Sequence, residues 1–232
     1  MSEYILAHDL GTSGNKATLF HTDGKLVGSC TYNYDVYYDQ PLWAEQDAED
    51  WWMAVCGSTK ELIEKYHVNS EEIKAVSFSG QMMGCLCVDS NGVPLMNSII
   101  WADQRARKQA EEIAKKIDDR QFYKIAGHRN AASYGIQKAM WVRDNQPEIY
   151  EKTYKFLNAK DYMVYCLTGK FYTDCSDANS MTCFDLLKRN WSEEILEASG
   201  IAPEKLPEVK ESTYYVGNVT EKAARETGVA RK

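Results

Sequence analysis

The segment that decides the fold lies at the start of the chain and reads Tyr4-Ile5-Leu6-Ala7-His8-Asp9-Leu10-Gly11-Thr12-Ser13-Gly14-Asn15-Lys16. Its first five residues form an apolar run typical of a strand, and a second such run covers residues 16–21. A third run, residues 26–32, follows an Asp-Gly pair that favours a hairpin turn. The chain is therefore predicted to open with consecutive antiparallel strands, unlike the strand–helix unit of a dinucleotide-binding fold.

The rest of the sequence predicts an α/β domain with a mixed sheet and a helical second half. Asp47 is a suitable cap for a helix that extends to about residue 66, and the apolar runs at 73–79 and 85–88, with the loop 80–84 between them, predict strands. From residue 105 onward the apolar residues recur mainly at helical spacing, over 105–117, around 122, and over 133–145, 159–167, 191–198 and 222–227. Strands followed by helices that pack on them indicate an α/β architecture.

Composition restricts the classes of partner. The 232 residues carry 27 Lys and Arg against 34 Asp and Glu, so the net charge of −7 disfavours nucleic acid as a partner. We see no apolar run of bilayer length and no signal-peptide pattern in the opening Met-Ser-Glu-Tyr, so a cytoplasmic protein without a membrane partner is expected. The seven scattered cysteines are predicted to be reduced thiols, not a metal or disulfide framework.

The turn after the first strand has the residue types of a phosphate-binding loop. The small residue Gly11 lets backbone N–H groups turn toward an anion, and the hydroxyls of Thr12 and Ser13 add donors. Lys16 adds positive charge, and Asp9 is placed to hold Mg²⁺ through water. An ordinary glycine-rich hairpin turn with a solvated Asp9 is the alternative, and strand alternation leaves open whether Lys16 points to solvent.

Three further segments match the motifs of one protein family. Residues 43–52 read W-A-E-Q-D-A-E-D-W-W, residues 79–84 read S-G-Q-M-M-G, and residues 158–178 contain N-A-K-D-Y, L-T-G and T-D-C-S-D-A. Together with the phosphate loop these segments resemble the FGGY family of carbohydrate kinases, whose S-G-Q-M-H-G loop occurs in xylulose kinases. The matches cover nearly the whole chain in the family's order.

The resemblance implies an actin-like ATPase (ribonuclease H-like) fold with two domains around a cleft. It implies that residues 1–232 are the N-terminal, sugar-binding domain of a kinase that uses ATP and Mg²⁺ to phosphorylate a sugar or polyol, with a xylulose-like pentulose as the expected substrate. The catalytic aspartate of the family lies in a Gly-Gly-Gly-Asp-like turn of the C-terminal, ATP-binding domain, and this sequence contains no Gly-Asp dipeptide. We therefore expect the isolated chain to be inactive, and a homodimer is a further expectation.

The resemblance also assigns roles to individual residues. Asp9 is expected on the metal and γ-phosphate side of the reaction, with the neighbouring turn around the transferred phosphoryl group. Gln81, Met82 and Met83 are expected to form the loop beneath the sugar, and Trp101 is expected to stack on it. Asp103 and Arg105 are expected as polar contacts, and Tyr134 is expected to close the pocket. Core packing is the alternative for Trp101, and a helix-capping surface role is the alternative for Tyr134.

One residue departs from the family pattern. The xylulose kinase loop has His where this chain has Met83, and a thioether cannot donate a hydrogen bond to a sugar hydroxyl. This departure leaves other sugars and polyols open as substrates. Three other functions compete with a kinase: an actin-like assembly domain, a ribonuclease H-like nuclease that needs several carboxylates around two metals, and a non-catalytic sugar-binding domain.

Overall fold

Residues 3–231 form a mixed sheet followed by a mainly helical second half in the computed structural model, which does not describe Met1, Ser2 and Lys232. The described strands are β1 (Tyr4–Leu10), β2 (Gly14–His21), β3 (Leu26–Asn33), β4 (Glu45–Gln46), β5 (Ile73–Gly80), β6 (Leu86–Val88), β7 (Ser98–Ile99), β8 (Lys155–Leu157), β9 (Tyr172–Asp174), β10 (Phe184–Asp185), β11 (Asn190–Trp191) and β12 (Glu208–Lys210). The described α-helices are α1 (Ala48–Lys65), α2 (Arg107–Ala114), α3 (Asp119–Ala126), α4 (Gly135–Asn145), α5 (Pro147–Lys152), α6 (Ala159–Thr168), α7 (Cys175–Ser180), α8 (Glu193–Ser199) and α9 (Glu221–Thr227).

The main sheet has the strand order β3-β2-β1-β5. The strands β1, β2 and β3 pair antiparallel, whereas β5 pairs parallel with β1. Between β1 and β2 the backbone N–H of Gly11 donates to the carbonyl of Gly14 at 3.0 Å, which closes a tight turn. The predicted opening with antiparallel strands and a turn after Asp9 is therefore confirmed.

Helix α1 covers one face of this sheet. Asp47 caps its first turn by accepting a hydrogen bond from the backbone N–H of Glu49 at 2.8 Å, as its position in the sequence predicts. Its buried residues recur at helical spacing and include Trp51, Val55 and Leu62. Trp51 packs in one apolar cluster with residues of β1 and α6, and Leu62 packs in a second with residues of β1 and β2. The helix thus holds the sheet against the second half of the chain.

A separate apolar cluster organises the helical second half. Phe122, Ile136, Phe156 and Ile195 are buried in it and bring together α3, α4, β8 and α8. The sequence-based prediction ended a helix before Pro147, and the structure begins a new short helix, α5, at that proline. Among residues 3–231 no helix is both long and apolar enough to cross a membrane, and all seven cysteines are free thiols.

A buried polar cluster joins β1, β2 and α1. The side-chain amide of Asn15 donates to His8 Nδ1 at 3.1 Å and to Ser58 Oγ at 2.9 Å, so the proton of the neutral imidazole lies on Nε2. His8 Nε2 lies 3.3 Å from Thr59 Oγ1. Burial disfavours the charged imidazolium and lowers the pKa of His8 from 6.5 to about 4.

This cluster predicts a loss of stability in mild acid. Unfolded His8 takes up a proton near its ordinary pKa of 6.5, whereas folded His8 does so only near 4, so the unfolded state binds more protons between these values. The free energy of unfolding should therefore fall by about 3 kcal/mol as the pH decreases from 6.5 to 4. Urea unfolding of the wild type and of His8→Gln across this range measures the difference.

The exposed His67 supplies the control, because His67→Asn removes an imidazole outside the buried cluster. The His67→Asn variant should follow the wild-type pH dependence, and His8→Gln should show a flatter one. Parallel curves for the wild type and His8→Gln would contradict the assignment of the acid sensitivity to His8.

Candidate functional site

The candidate site lies where β1 and β5 end at the same edge of the main sheet. The register of the parallel pair places Asp9 beside Ser79, and the backbone N–H of Gln81 donates to the carbonyl of Leu10 at 2.8 Å. Ligands of open α/β sheets bind outside the carboxyl ends of parallel strands. The topology therefore brings the predicted phosphate loop and the predicted sugar loop together, although about seventy residues separate them.

The phosphate loop presents its charged side chains on one face. Asp9 and Lys16 are direct cross-strand partners, and residues paired in this way project from the same face of a sheet. Both residues are exposed, as is Ser13 in the turn between them. The structure therefore places Lys16 on the same face of the sheet as Asp9 and in solvent.

The carboxylate of Asp9 fits Mg²⁺ held through water and substrate. Within residues 3–231 no group of three His, Cys, Asp or Glu side chains is arranged to hold a metal. Mg²⁺ is ordinarily held by one or two carboxylates together with waters and the oxygens of a substrate phosphate. A single exposed carboxylate beside a turn that is predicted to bind phosphate matches that pattern.

Trp101 forms an exposed aromatic surface directly beside the phosphate loop. Its side chain is 45% exposed, so the alternative of plain core packing does not describe it. Its indole Nε1–H donates to Thr12 Oγ1 at 2.9 Å, which leaves the proton of that hydroxyl free to donate elsewhere. The contact fixes the ring next to the turn between β1 and β2.

Gln46 connects the two loops from beneath and was not identified as a site residue from the sequence. Its Nε2 donates to the carbonyl of Thr12 at 2.7 Å and to that of Asp35 at 3.3 Å. Its Oε1 accepts from Trp51 Nε1 at 3.2 Å and from Gln81 Nε2 at 2.6 Å. The side chain is fully buried and uses both donors and both acceptor positions of its amide. Only its place in the W-A-E-Q-D motif marked it in the sequence.

The sugar loop is held mainly through its backbone. The backbone N–H of Met83 donates to Ser180 Oγ at 3.1 Å, and that of Gly84 donates to Asn158 Oδ1 at 3.0 Å. Met83 has a positive φ of 63°, which few residues other than glycine adopt. Met82 is exposed, whereas Met83 is half-buried. The motifs around residues 158 and 177 therefore lie behind the loop as its support.

A second buried side chain joins the segments expected around the sugar. Lys138 of α4 donates from Nζ to three backbone carbonyls: Met83 at 2.6 Å, Ile100 at 2.8 Å and Ser133 at 2.6 Å. Burial lowers the pKa of Lys138 to about 7, and the charge of Asp103 opposes this effect. The three acceptors take all three protons of the ammonium group and so favour its charged form.

Asp103 and Arg105 lie beneath the site, which corrects the expectation that they contact the sugar. Their side chains are 0% and 2% exposed and pair at 2.7 Å. Asp103 Oδ2 also accepts from the backbone N–H of Ala44, and Arg105 pairs with Glu45 at 2.7 Å. The guanidinium of Arg105 lies 3.6 Å from the ring centroid of Trp43. These pairings connect the segment that carries Trp101 to the segment of residues 43–45.

Tyr134 stands at the N-cap position of α4 but makes no side-chain capping hydrogen bond. Its hydroxyl lies 3.3 Å from His128 Nδ1, and His128 Nε2 lies 2.8 Å from the side-chain amide of Asn179. Tyr134 directly follows Ser133, whose backbone carbonyl accepts a hydrogen bond from Lys138. Its expected role in closing a sugar pocket remains a prediction.

A cavity of about 260 Å³ lies elsewhere, along the side of β5 that faces away from β1. It is lined by residues of β5 and α6 and by the segment 210–219. Neither the phosphate loop nor Trp101 is among its lining residues. This cavity is therefore separate from the surface at the strand ends where the expected site residues lie.

The bonding of Gln46 predicts a stability effect for an isosteric change. Gln46→Glu should lower the free energy of unfolding by about 1–3 kcal/mol, because a carboxylate facing the carbonyls of Thr12 and Asp35 loses both donors. Gln40→Glu makes the same change at an exposed position. Urea unfolding compares the two variants, and equal midpoints would contradict the structural role assigned to Gln46.

Comparisons with known proteins identify the family of this chain. The family model described as the FGGY family of carbohydrate kinases, N-terminal domain, matches residues 4–232. The xylulose kinase of Staphylococcus xylosus is 32% identical over 97% of this chain and 46% of its own length. The glycerol kinase of Thermococcus gammatolerans is 31% identical over 94% of this chain and 45% of its own length.

Solved structures show the same fold. The crystal structure of a xylulose kinase from Brucella ovis superposes with a TM-score of 0.90 at 30% identity, and covers 99% of this chain and 47% of the solved one. The chain thus spans about half the length of the curated relatives it matches. Its α/β architecture is the actin-like ATPase fold of the sugar kinases. Residues 4–232 therefore belong to the FGGY family of carbohydrate kinases and correspond to its N-terminal domain.

Proposed function

We propose that this chain supplies the sugar pocket and the phosphate loop of an ATP-dependent kinase that phosphorylates a hydroxyl of a xylulose-like pentulose. The observation that carries the proposal is the hydrogen bond between Trp101 Nε1 and Thr12 Oγ1. It fixes an exposed indole ring, on which the apolar face of a sugar can stack, beside a turn suited to phosphate. The family membership supports the same activity.

In this proposal the phosphate loop contacts the phosphoryl group, and the sugar loop with its neighbours contacts the sugar. Phosphoryl transfer depends on positioning and on stabilising negative charge. The hydroxyls of Thr12 and Ser13 and the ammonium of Lys16 would contact the transferred phosphoryl group. Mg²⁺ held at Asp9 would screen the negative charge of the phosphoryl group. Gln81, Met82, Trp101 and Tyr134 would orient the sugar so that one hydroxyl faces the phosphate loop, with Asp103 and Arg105 supporting Trp101 from below.

Proton transfer and ATP binding in this proposal require a second domain. The resemblance assigns the aspartate that accepts the hydroxyl proton, and most of the ATP contacts, to a C-terminal domain outside this sequence. The curated relatives are about twice as long as this chain, which supports that division. The alternative function is a non-catalytic sugar-binding domain, which the same exposed indole would also serve.

Catalysis by the full-length protein should depend on Asp9. Asp9→Asn should lower kcat by about a hundredfold or more with little change in the KM for the sugar, because the carboxylate acts on the phosphate side. The isolated chain should show no turnover. A coupled assay of ADP release with xylulose measures both quantities.

The control for Asp9 is Asp23→Asn, which removes an exposed carboxylate from the turn between β2 and β3. It should leave the kinetics unchanged. Wild-type rates for Asp9→Asn, or kinase rates for the isolated chain, would contradict the assigned roles.

Met83 should influence which sugar is preferred. Met83→His in the full-length protein should raise the relative kcat/KM for xylulose roughly tenfold, because His supplies a hydrogen-bond partner worth about 1–3 kcal/mol to a buried hydroxyl. The loop should keep its shape, since the hydrogen bonds with Ser180 and Lys138 are made by the backbone of this residue, and histidine tolerates positive φ better than most residues.

The measurement is a panel of ketoses, aldoses and polyols tested on both variants. Met53→His, at an exposed position of α1, is the matched control and should not alter the ranking. An unchanged ranking for Met83→His would show that Met83 only packs, and that the backbone of the loop makes the contacts.

A further inference from the structure

Lys138 is one of the largest fully buried side chains of the chain, with 0% exposure. Removing an ammonium group from water costs several kcal/mol unless its partners compensate. Here the partners are three peptide carbonyls instead of a carboxylate. A methionine would fill the same volume without that cost, so packing alone does not account for a lysine at this position.

The three carbonyls belong to three different segments, and each segment carries an expected sugar contact. The carbonyl of Met83 belongs to the sugar loop itself. Those of Ile100 and Ser133 belong to the peptide bonds that lead into Trp101 and Tyr134. One ammonium group thus sets the positions of three backbone segments that are separated by as many as 55 residues from Lys138 in the chain.

The backbone of the phosphate loop is bound by Gln46, which donates to the carbonyl of Thr12. The loop meets the segments bound by Lys138 through a side chain, because Trp101 donates to Thr12 Oγ1. The bonds of Lys138 reach the sugar side of the site and not the turn between β1 and β2. A change at Lys138 should therefore disturb the placement of the sugar more than the placement of the phosphates.

We propose that Lys138 is a positioning residue for the acceptor sugar, which it orients indirectly by holding the sugar loop, Trp101 and Tyr134 in one mutual arrangement. The inference rests on the proposed function of the site. Lys138 does not touch the sugar, because its three donors are occupied and its side chain is buried. Its effect on the reaction passes through the backbone.

The test compares Lys138→Met with Lys205→Met in the full-length protein. Lys205 is a matched control because its Nζ also donates to backbone carbonyls, those of Tyr150 and Thr153 at 2.9 and 2.7 Å, in another part of the fold. Steady-state kinetics with D-xylulose, or with glycerol if xylulose is not turned over, give the KM for the sugar and for ATP. The thermal midpoint and the ratio of ATP hydrolysed to sugar phosphorylated are measured alongside.

For Lys138→Met we expect a rise in the sugar KM of about tenfold or more, a KM for ATP within about twofold of wild type, and more ATP hydrolysed per sugar phosphorylated. Lys205→Met should lower the thermal midpoint and leave the sugar KM unchanged. Equal kinetic effects of the two changes, or a Lys138→Met variant with wild-type kinetics, would overturn the proposal.

If Lys138→Met does not fold, Lys138→Gln retains two of the donors and should show the same pattern at smaller amplitude. Failure of both variants to fold would make Lys138 a residue of stability alone and would also overturn the proposal. An inactive wild type with every sugar and polyol in the panel would instead count against the proposed function, so the two failures are distinguishable.

Discussion

The parallel pairing of β1 with β5 is the constraint on which the rest of the site depends. It aligns the carboxyl ends of two strands, so that the turn after Asp9 and the loop beginning at Gln81 leave the sheet side by side. Residues 11–13 and 81–84 lie outside the strands of the described chain, and their backbone groups therefore need other partners. Much of the remaining structure around the site supplies them.

Those partners are buried polar side chains, each of which serves more than one segment. Gln46 joins the phosphate loop to Gln81, and Lys138 joins the sugar loop to the segments of Trp101 and Tyr134. Such groups stabilise a structure only when all their hydrogen bonds are made, because an unpaired buried polar group is costly. Their complete bonding ties loop position to the folding of the whole domain. This leaves the surface residues free to present their faces to a ligand.

The residues expected at the site are accordingly of two kinds. Asp9, Trp101 and Met82 are exposed at the strand ends, where a ligand can reach them. Asp103 and Arg105 occur in the same short stretch as Trp101, yet they are buried and paired with each other. Sequence proximity to an exposed residue therefore does not indicate exposure, because residues 101–106 form an irregular turn without the regular side-chain period of a strand or a helix.

The sequence by itself determined the antiparallel opening, the capped helix α1, the α/β class and the loop around Asp9, because local turn chemistry and apolar periodicity specify these features over a few residues. It also carried the family motifs. Only the tertiary structure decided that Trp101 is exposed, that Asp103 and Arg105 are not, and that Gln46 and Lys138 support the site. The reason is physical: burial and hydrogen-bond partners depend on contacts between segments far apart in the chain, and no local pattern encodes them.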